Sequence, residues 1–190
     1  MSETTYSRTV EDCSRGILAA GAQLGFVTPT AADVEEARAL GMRLVGAVAT
    51  TDVFERVRSF QPAALLVSRA DHRVTGVVAT LLLRASGARS LRQGNFNGRD
   101  PAMDELCSGP DSPDSYYIWG VGGETRVAKW AAMEFCRRLR HDVFADLIGF
   151  TRAATADGRR AAVARLGFVP LTTSDDSLLV SPPVIARCAA

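Results

Sequence analysis

The segment best suited to chemistry is 115–129, in which an aromatic strand pattern is followed by glycines and then by two cations. Residues 115–121 (SYYIWGV) are rich in the aromatic and branched side chains that strands favour. From Glu124 onward, apolar residues recur at the i, i+4 spacing of a helix. The first turn of a helix presents unpaired N–H groups and the positive end of its dipole, and Arg126 and Lys129 add charge there. The pattern predicts an anion site, with an ordinary solvated helix start as the alternative.

Other motifs that could carry chemistry are incomplete. The glycines at positions 120, 122 and 123 lack the GxGxxG spacing of a dinucleotide-binding loop. His72 falls in an expected turn and His141 follows an arginine-rich helix end, so solvated surface roles are favoured over catalysis for both. The four cysteines lie far apart without a CxxC pair, and neither a metal site nor a redox motif is expected. They are Cys13, Cys107, Cys136 and Cys188.

The composition is that of a globular domain. Of 190 residues, 47% are hydrophobic and 23% charged, and the net charge of +1 does not steer the chain toward nucleic acid or an anionic membrane. Arg137, Arg138 and Arg140 cluster locally, but no aromatic residues interleave them, so an exposed helix face is favoured over a nucleic-acid surface. The first residues are polar and acidic, unlike a signal peptide, and no apolar run approaches the roughly 18 residues that span a membrane. We therefore expect a cytoplasmic protein with reduced thiols.

Hydrophobic periodicity, together with the positions of capping residues, glycines and prolines, predicts the elements around this segment. Thr30 is expected to cap one helix and Asp52 the next, while Gly167 is expected to end the last one. Residues 84–113 are the least regular stretch, with one helical turn near 103–106, and such a long connection is usually functional. Helices are predicted over 8–24, from 30 toward 48, 52–60, 124–140 and 157–166. Strands are predicted over 25–28, 63–68, 74–83, 115–121, 146–152, 168–171 and 178–180.

The fold class expected from these elements is mixed α/β (α+β), with a mostly antiparallel central sheet flanked by helices. From about residue 25 the order is β-α-α-β-β-β-α-β-α-β-β, which resembles the GNAT superfamily of N-acetyltransferases. Three segments carry the resemblance: GFVTPTAADVEEARAL at 25–40, DHRVTG at 71–76 and ARLGFVP at 164–170. We expect one GNAT-like domain over 1–190, with 1–24 as an N-terminal extension and 84–113 as an irregular insertion on the substrate side.

The resemblance implies that acetyl-CoA, or another acyl-CoA, is the co-substrate and that no metal takes part. In the family, the helix after the fourth strand holds the pyrophosphate through a loop of Arg or Gln, two residues, Gly, one residue, then Gly or Ala. Arg126 and Ala131 match that frame, whereas Lys129 stands at the central Gly. The last helix departs as well, because Asp157 replaces the usual Asn and no Tyr stands near its end. The residues expected to bind the cofactor are Trp119, Val121, Gly122, Gly123, Arg126, Val127, Ala128, Lys129 and Asp157.

The function implied is transfer of an acyl group to the amine of a small molecule or a protein, and acetyl is the acyl group expected. A backbone N–H near 118–120 would polarise the thioester carbonyl, and the amine would attack it directly. No general base is identifiable from the residues, and Asp114, Tyr116 and Tyr117 are catalytic candidates by their position alone. The alternatives are a catalytically silent GNAT-like binding module and a transferase with a longer acyl donor. The apolar tail at 178–190 could pack on a partner subunit, giving a homodimer, or on its own sheet.

Overall fold

The computed structural model of the chain describes residues 8–171 and 177–184. Its seven strands form one sheet in which only one neighbouring pair is parallel. The predicted class, a mostly antiparallel α/β (α+β) sheet flanked by helices, is confirmed. The strands are β1 (Phe26–Val27), β2 (Leu65–Ala70), β3 (Arg73–Leu83), β4 (Ser115–Gly123), β5 (Ile148–Arg152), β6 (Val169–Pro170) and β7 (Leu178–Ser181). Their order across the sheet is β1-β2-β3-β4-β5-β7-β6, and β4 with β5 is the parallel pair.

In the described part of the chain, six α-helices cover the two faces of this sheet. They are α1 (Val10–Ala22), α2 (Ala31–Val45), α3 (Thr51–Phe60), α4 (Ala85–Arg92), α5 (Arg126–Arg138) and α6 (Ala156–Leu166). Apolar residues of α1, α5 and α6 pack on one face, around Tyr116 and Phe135. Apolar residues of α2, α3 and α4 pack on the other, around Leu40, Tyr117 and Phe150. The result is a three-layer arrangement with an apolar core on each side of the sheet.

Local capping chemistry fixes several helix starts. Thr30 caps α2 as predicted, because its hydroxyl accepts from the Asp33 N–H while the Asp33 carboxylate accepts from the Thr30 N–H. The prediction of Asp52 as the cap of α3 is wrong, since the Thr50 hydroxyl accepts from the Val53 N–H instead. Three adjacent residues (Thr50, Thr51 and Asp52) can all cap, so composition alone does not choose between them.

The helix predicted over 124–140 has different ends in the structure. It begins at Arg126 after the cap Thr125, and beyond Arg138 the chain passes into a π-helical turn, Leu139–Val143. The predicted C-cap Gly167 is confirmed, with a left-handed φ of 67°. The predicted helical turn near 103–106 is a 3-10 turn, Met103–Glu105.

The segment 84–113, predicted to be the least regular stretch with one helical turn, also contains the helix α4. A sequence reading misses α4 because it has only eight residues, contains Gly87 and has no side-chain cap at Arg84. A Cβ at Gly87 would lie 2.7 Å from the Glu105 carbonyl oxygen, so glycine is what allows α4 to pack against the 3-10 turn. Buried Gln61 holds the same region, donating to the carbonyls of Leu82 and Cys107.

Parts of two other expectations lie outside the described residues. These are the first seven residues of the N-terminal extension, and Cys188 with the end of the C-terminal tail at 185–190. The described part of the tail includes β7, which pairs with β5 and β6 of its own sheet. Within 8–171 and 177–184, no helix combines the length and apolarity needed to cross a bilayer.

Candidate functional site

The two parallel strands at the centre of the sheet part from each other halfway along β4. Their last paired residues are Ile118 and Thr151, and there the Thr151 hydroxyl donates a 3.2 Å hydrogen bond to the Ile118 carbonyl. β4 then continues to Gly123, paired with β3 alone among the described strands. Backbone groups on the β5 side of 119–123 are therefore left without a strand partner, as at the edge of a sheet.

A β-bulge lies at the same point. In the β3–β4 register, Thr80 pairs with Ile118 and Ala79 with Gly120, so Trp119 is the extra residue. Its indole lies toward α3, with its ring centroid 4.7 Å from that of Phe54, and its Nε1–H donates to the Gly98 carbonyl. Bulges redirect a side chain and interrupt pairing, and this one separates the two halves of β4.

A cleft of about 640 Å³ opens where the strands part, between the end of β4 and the first turns of α5 and α6. We call it the α5 cleft; it is lined by Val121, Gly122, Arg126, Lys129, Trp130 and Asp157, among others. Arg152 and Arg165 also line it, so within the described part of the lining four cationic side chains accompany one carboxylate, that of Asp157. Such an excess of positive charge in a cleft favours an anionic ligand.

The start of α5 has N–H groups available for such a ligand. The Thr125 hydroxyl accepts from the Ala128 N–H at 3.1 Å, and the Thr125 carbonyl accepts from the Lys129 N–H at 2.9 Å. Within the described residues, the N–H groups of Arg126 and Val127 make no hydrogen bond. Two free amides and the positive end of the dipole therefore point out of the first turn.

Glycine at position 123 allows β4 to approach this helix start closely. A Cβ there would lie 2.5 Å from the Lys129 nitrogen and 2.6 Å from the Ala128 carbonyl carbon. Both are backbone atoms, so any larger residue would push α5 away from the strand. The Lys129 side chain itself is exposed.

The structure brings together most, but not all, of the residues predicted to bind a cofactor. Val121, Gly122, Gly123, Arg126, Lys129 and Asp157 line the α5 cleft. Ala128 is buried beneath the helix start, and the Val127 side chain is 76% exposed outside the cleft lining. The Trp119 side chain lies on the other face of the sheet, in a second cleft.

That second cleft, of about 510 Å³, lies between α2, α3 and the loop that follows α4. We call it the α2 cleft; its lining includes Leu44, Phe54, Phe96, Arg99, Tyr117 and Trp119. Val121 and Arg152 line both clefts, as do Leu44 and Val45. The two clefts therefore meet at the open edge of β4.

The side chains of the three catalytic candidates lie in three different surroundings. Asp114 is exposed just before β4 begins, at the end of the strand away from both clefts. Tyr116 is buried on the α5 side, stacked on Phe144 at 4.5 Å, and burial raises its pKa. Of the three, Tyr117 alone lines a cleft, the α2 cleft, where its ring contacts Phe96 edge-on at 5.5 Å. Among the residues that the structure describes, no carboxylate or imidazole side chain lines the α2 cleft.

Sequence reasoning did not identify Thr151, Arg152, Trp130 or Arg99. Thr151 and Arg152 end β5, and residues at the carboxyl ends of adjacent parallel strands lie side by side, so the strand pattern carried a usable signal for these two. No local sequence pattern identifies Arg99 or Trp130 as cleft residues. Arg99 lines the α2 cleft from a loop, and Trp130 lines the α5 cleft from a helix face.

The described cysteines offer no nucleophile. Cys13, Cys107 and Cys136 are free and buried. Burial raises the pKa of Cys13 and of Cys107 to about 11, and that of Cys136 to about 12. Within 8–171 and 177–184, no group of three or more His, Cys, Asp and Glu side chains is arranged to hold a metal ion.

Comparison of the chain with protein-family models, with curated proteins and with solved structures finds no match.

Proposed function

We propose that the protein is an acyl-CoA-dependent N-acyltransferase, which binds the acyl-CoA in the α5 cleft and the amine in the α2 cleft. The carrying observation is the parting of β4 and β5 beyond Ile118 and Thr151, which opens a strand edge at the point where the clefts meet. From β1 onward, the observed element order is the one on which the resemblance to the GNAT superfamily rests, with the helix α4 added between β3 and β4.

The chemistry of coenzyme A suits each part of the α5 cleft. Its pyrophosphate matches the free N–H groups of Arg126 and Val127, reinforced by the two cationic side chains. Its pantetheine arm carries two amides and is extended, so it can pair with the open edge of β4 as an added strand would. That path leads the thioester from the helix start toward Trp119, beside the α2 cleft.

The transfer itself requires little from side chains. The neutral amine attacks the thioester carbonyl carbon, the new C–N bond forms, and the C–S bond breaks as coenzyme A leaves. The proton lost by the nitrogen goes to the thiolate through water, so the products are an amide and the free thiol. Backbone N–H groups at the bulge would stabilise the oxyanion, which is the charge that develops.

A non-catalytic module that binds the same ligands is the second candidate. It is favoured by the last helix, where Val163 and Ala164 offer no proton donor and the Asp157 carboxylate pairs with Arg160. Such a module would bind acyl-CoA without releasing its thiol in the presence of any amine.

Calorimetric titration with acetyl-CoA, and separately with coenzyme A, tests the proposed site. We expect micromolar binding that the Arg126→Ala/Lys129→Ala variant weakens by about tenfold or more, because two charge-assisted contacts are lost. The matched control is Arg15→Ala/Arg89→Ala, which removes the same charge from exposed positions on α1 and α4. Binding that is absent at millimolar ligand, or unchanged in the first variant, would overturn the assignment. Thiol release with an amine acceptor then separates the transferase from the module.

A further inference from the structure

The loop that follows α4 contains both asparagines of the chain, Asn95 and Asn97. Both residues are exposed. Asn97 also lines the α2 cleft together with Gly98, and the Gly98 carbonyl accepts a hydrogen bond from the Trp119 Nε1–H. A chemical change at Asn97 would therefore alter the lining of that cleft.

Asn97 is followed by glycine, whose backbone nitrogen is the least hindered of any residue. An asparagine side chain can react with the nitrogen of the next residue, because the bond between that nitrogen and the side-chain amide carbon closes a five-membered ring. A side chain on the next residue crowds this approach, and glycine has none. The Asn-Gly pair at 97–98 is thus the sequence context in which the ring closes most readily.

The structure leaves the two reacting groups available. Within the described residues, the Gly98 N–H makes no hydrogen bond, so its nitrogen is not held by another group. The Asn97 Oδ1 accepts from the Arg99 N–H at 3.1 Å, which turns the side-chain amide back toward the peptide bonds of the loop. A donor on this oxygen also stabilises the oxyanion that forms when the amide carbon is attacked.

Asn95 lies on the same loop but lacks these features. The residue after it is Phe96, whose side chain hinders attack by its own nitrogen. The Phe96 N–H also donates to the Ser90 carbonyl at 3.2 Å, so that nitrogen is engaged. Asn95 is therefore an internal control for Asn97.

We propose that Asn97 and Gly98 form a self-modification site, at which Asn97 converts to aspartate and isoaspartate through a cyclic imide. The Gly98 nitrogen bonds to the Asn97 amide carbon, the bond from that carbon to the amide nitrogen breaks, and ammonia leaves with the proton that Gly98 gives up. Water then opens the ring at either carbonyl. One opening gives aspartate, and the other gives isoaspartate, in which the main chain runs through the former side chain. One water is consumed and one ammonia released, without oxidation or reduction.

Both products change the α2 cleft. Each adds a carboxylate to a lining position where a neutral amide stood. Isoaspartate also lengthens the main chain by one methylene before Gly98, the residue whose carbonyl holds the Trp119 indole. The protein therefore passes with time from an amide form to an acidic form of this cleft. The reaction needs neither acyl-CoA nor an amine, so its test is independent of the proposed transferase function.

Mass spectrometry of the folded protein tests the site. Trypsin releases 93–99 as a peptide that contains both asparagines and no aspartate, and fragmentation separates the two positions. We expect conversion at Asn97 and none at Asn95 over the same time. Conversion should be faster at mildly alkaline than at neutral pH, because the attacking nitrogen must lose its proton.

A synthetic peptide of residues 90–102 is the reference for the same sequence without the fold. If the folded protein converts more slowly than this peptide by about tenfold or more, the fold protects Asn97 and the inference is overturned. Equal conversion at Asn95 and Asn97 would overturn it as well.

Gly98→Ala is the decisive variant, because the added methyl hinders the attacking nitrogen and has room in the structure. Its nearest contact would be the Tyr117 hydroxyl at 3.6 Å. The variant should convert about tenfold more slowly or worse, and thermal melting checks that it folds. A conversion rate that survives Gly98→Ala would contradict the proposed route.

The effect on the α2 cleft has its own measurement. Trp130→Phe leaves Trp119 as the single tryptophan, and anion exchange separates the converted protein from the unconverted protein by charge. We expect the two forms to differ in Trp119 emission. Identical emission would show that the modification does not reach the α2 cleft.

Discussion

The Thr151 hydroxyl and the Ile118 carbonyl are joined by a hydrogen bond at the last rung of the parallel β4–β5 pair. Thr151 is 7% exposed, and this is the point beyond which the strands part. The bond therefore sets where the candidate site begins.

Thr151→Val should lower the free energy of unfolding by about 1–2 kcal/mol, because a buried carbonyl loses a partner while side-chain shape is kept. Urea unfolding measures the change, and Thr151→Ser is the control that keeps the hydroxyl. Equal stability of the valine variant and the wild type would mean that this hydrogen bond does not hold β4 and β5 together where they part.

Gly123→Ala should lower stability by about 1–3 kcal/mol and weaken acetyl-CoA binding, because the new methyl would meet the α5 backbone and displace its first turn. Urea unfolding and calorimetry measure the two effects. Gly120→Ala on the same strand is the control, since its Cβ would meet nothing closer than the Ala79 Cβ at 3.9 Å. A Gly123→Ala variant as stable as Gly120→Ala would contradict the close approach.

Trp130 is 59% exposed and lines the α5 cleft. In the proposed complex its ring would stack on the adenine of coenzyme A. Trp130→Ala should weaken coenzyme A binding about five- to tenfold, as the loss of one base–aromatic stack does. Coenzyme A should quench the emission of the Trp119→Phe variant, which retains Trp130. Quenching of the Trp130→Phe variant instead would place the adenine elsewhere.

Asp33 links the start of α2 to β2 through Thr30 and Arg69. Burial raises the pKa of its carboxyl, but hydrogen bonds from Arg69 and Thr30 outweigh burial and leave the pKa below its usual 3.8. A pKa lowered by folding gives stabilisation that is complete above 3.8 and is lost as the pH falls through the lower, folded-state value.

Asp33→Asn should therefore be less stable than the wild type at pH 7, and the difference should shrink below pH 3.8. Urea unfolding at pH 7, 4 and 3 measures it. Asp52→Asn, one helix later, is the control, because Thr50 caps that helix instead. A constant difference between Asp33→Asn and the wild type across the three pH values would show that the carboxylate charge is not responsible.

What the sequence could predict here depends on the distance over which each feature is determined. Thr30, the turn before Arg73 and the C-cap at Gly167 follow from neighbours three or four residues away, and these predictions are confirmed. The turn residues Asp71 and His72 have φ values of 50° and 62°, which asparagine, aspartate and histidine tolerate better than branched residues. The helix α4 has no such local signal, and its position depends on a contact between Gly87 and Glu105.

The features of the candidate site also divide into those that the local sequence predicts and those that depend on distant contacts. A helix near Arg126 follows from composition and order, although its predicted start is two residues early, and most of the predicted binding residues do line one cleft. The direction of the Trp119 side chain cannot be predicted from the local sequence. It is set by a bulge in the pairing of two strands whose paired residues are nearly forty positions apart. The alternation of side chains along a strand correctly places Tyr116 and Tyr117 on opposite faces of the sheet. Only the packing of α1 and α5 shows that the face of Tyr116 is closed. Arg99 enters its cleft from a loop with no pattern of its own.

The parting of β4 from β5 also divides the sheet by order of synthesis. The strands β1 to β4 are consecutive in the chain and adjacent in the sheet, whereas β5, β7 and β6 all come from residues after 147. A ribosome therefore releases the complete four-stranded antiparallel half, with α2 and α3 on one face, before any strand of the second half emerges from it. The α2 cleft is largely formed early from this half, while the α5 cleft is completed only when β5 and α6 arrive. Competence to bind a nucleotide-bearing donor would thus be the last property that the nascent chain acquires.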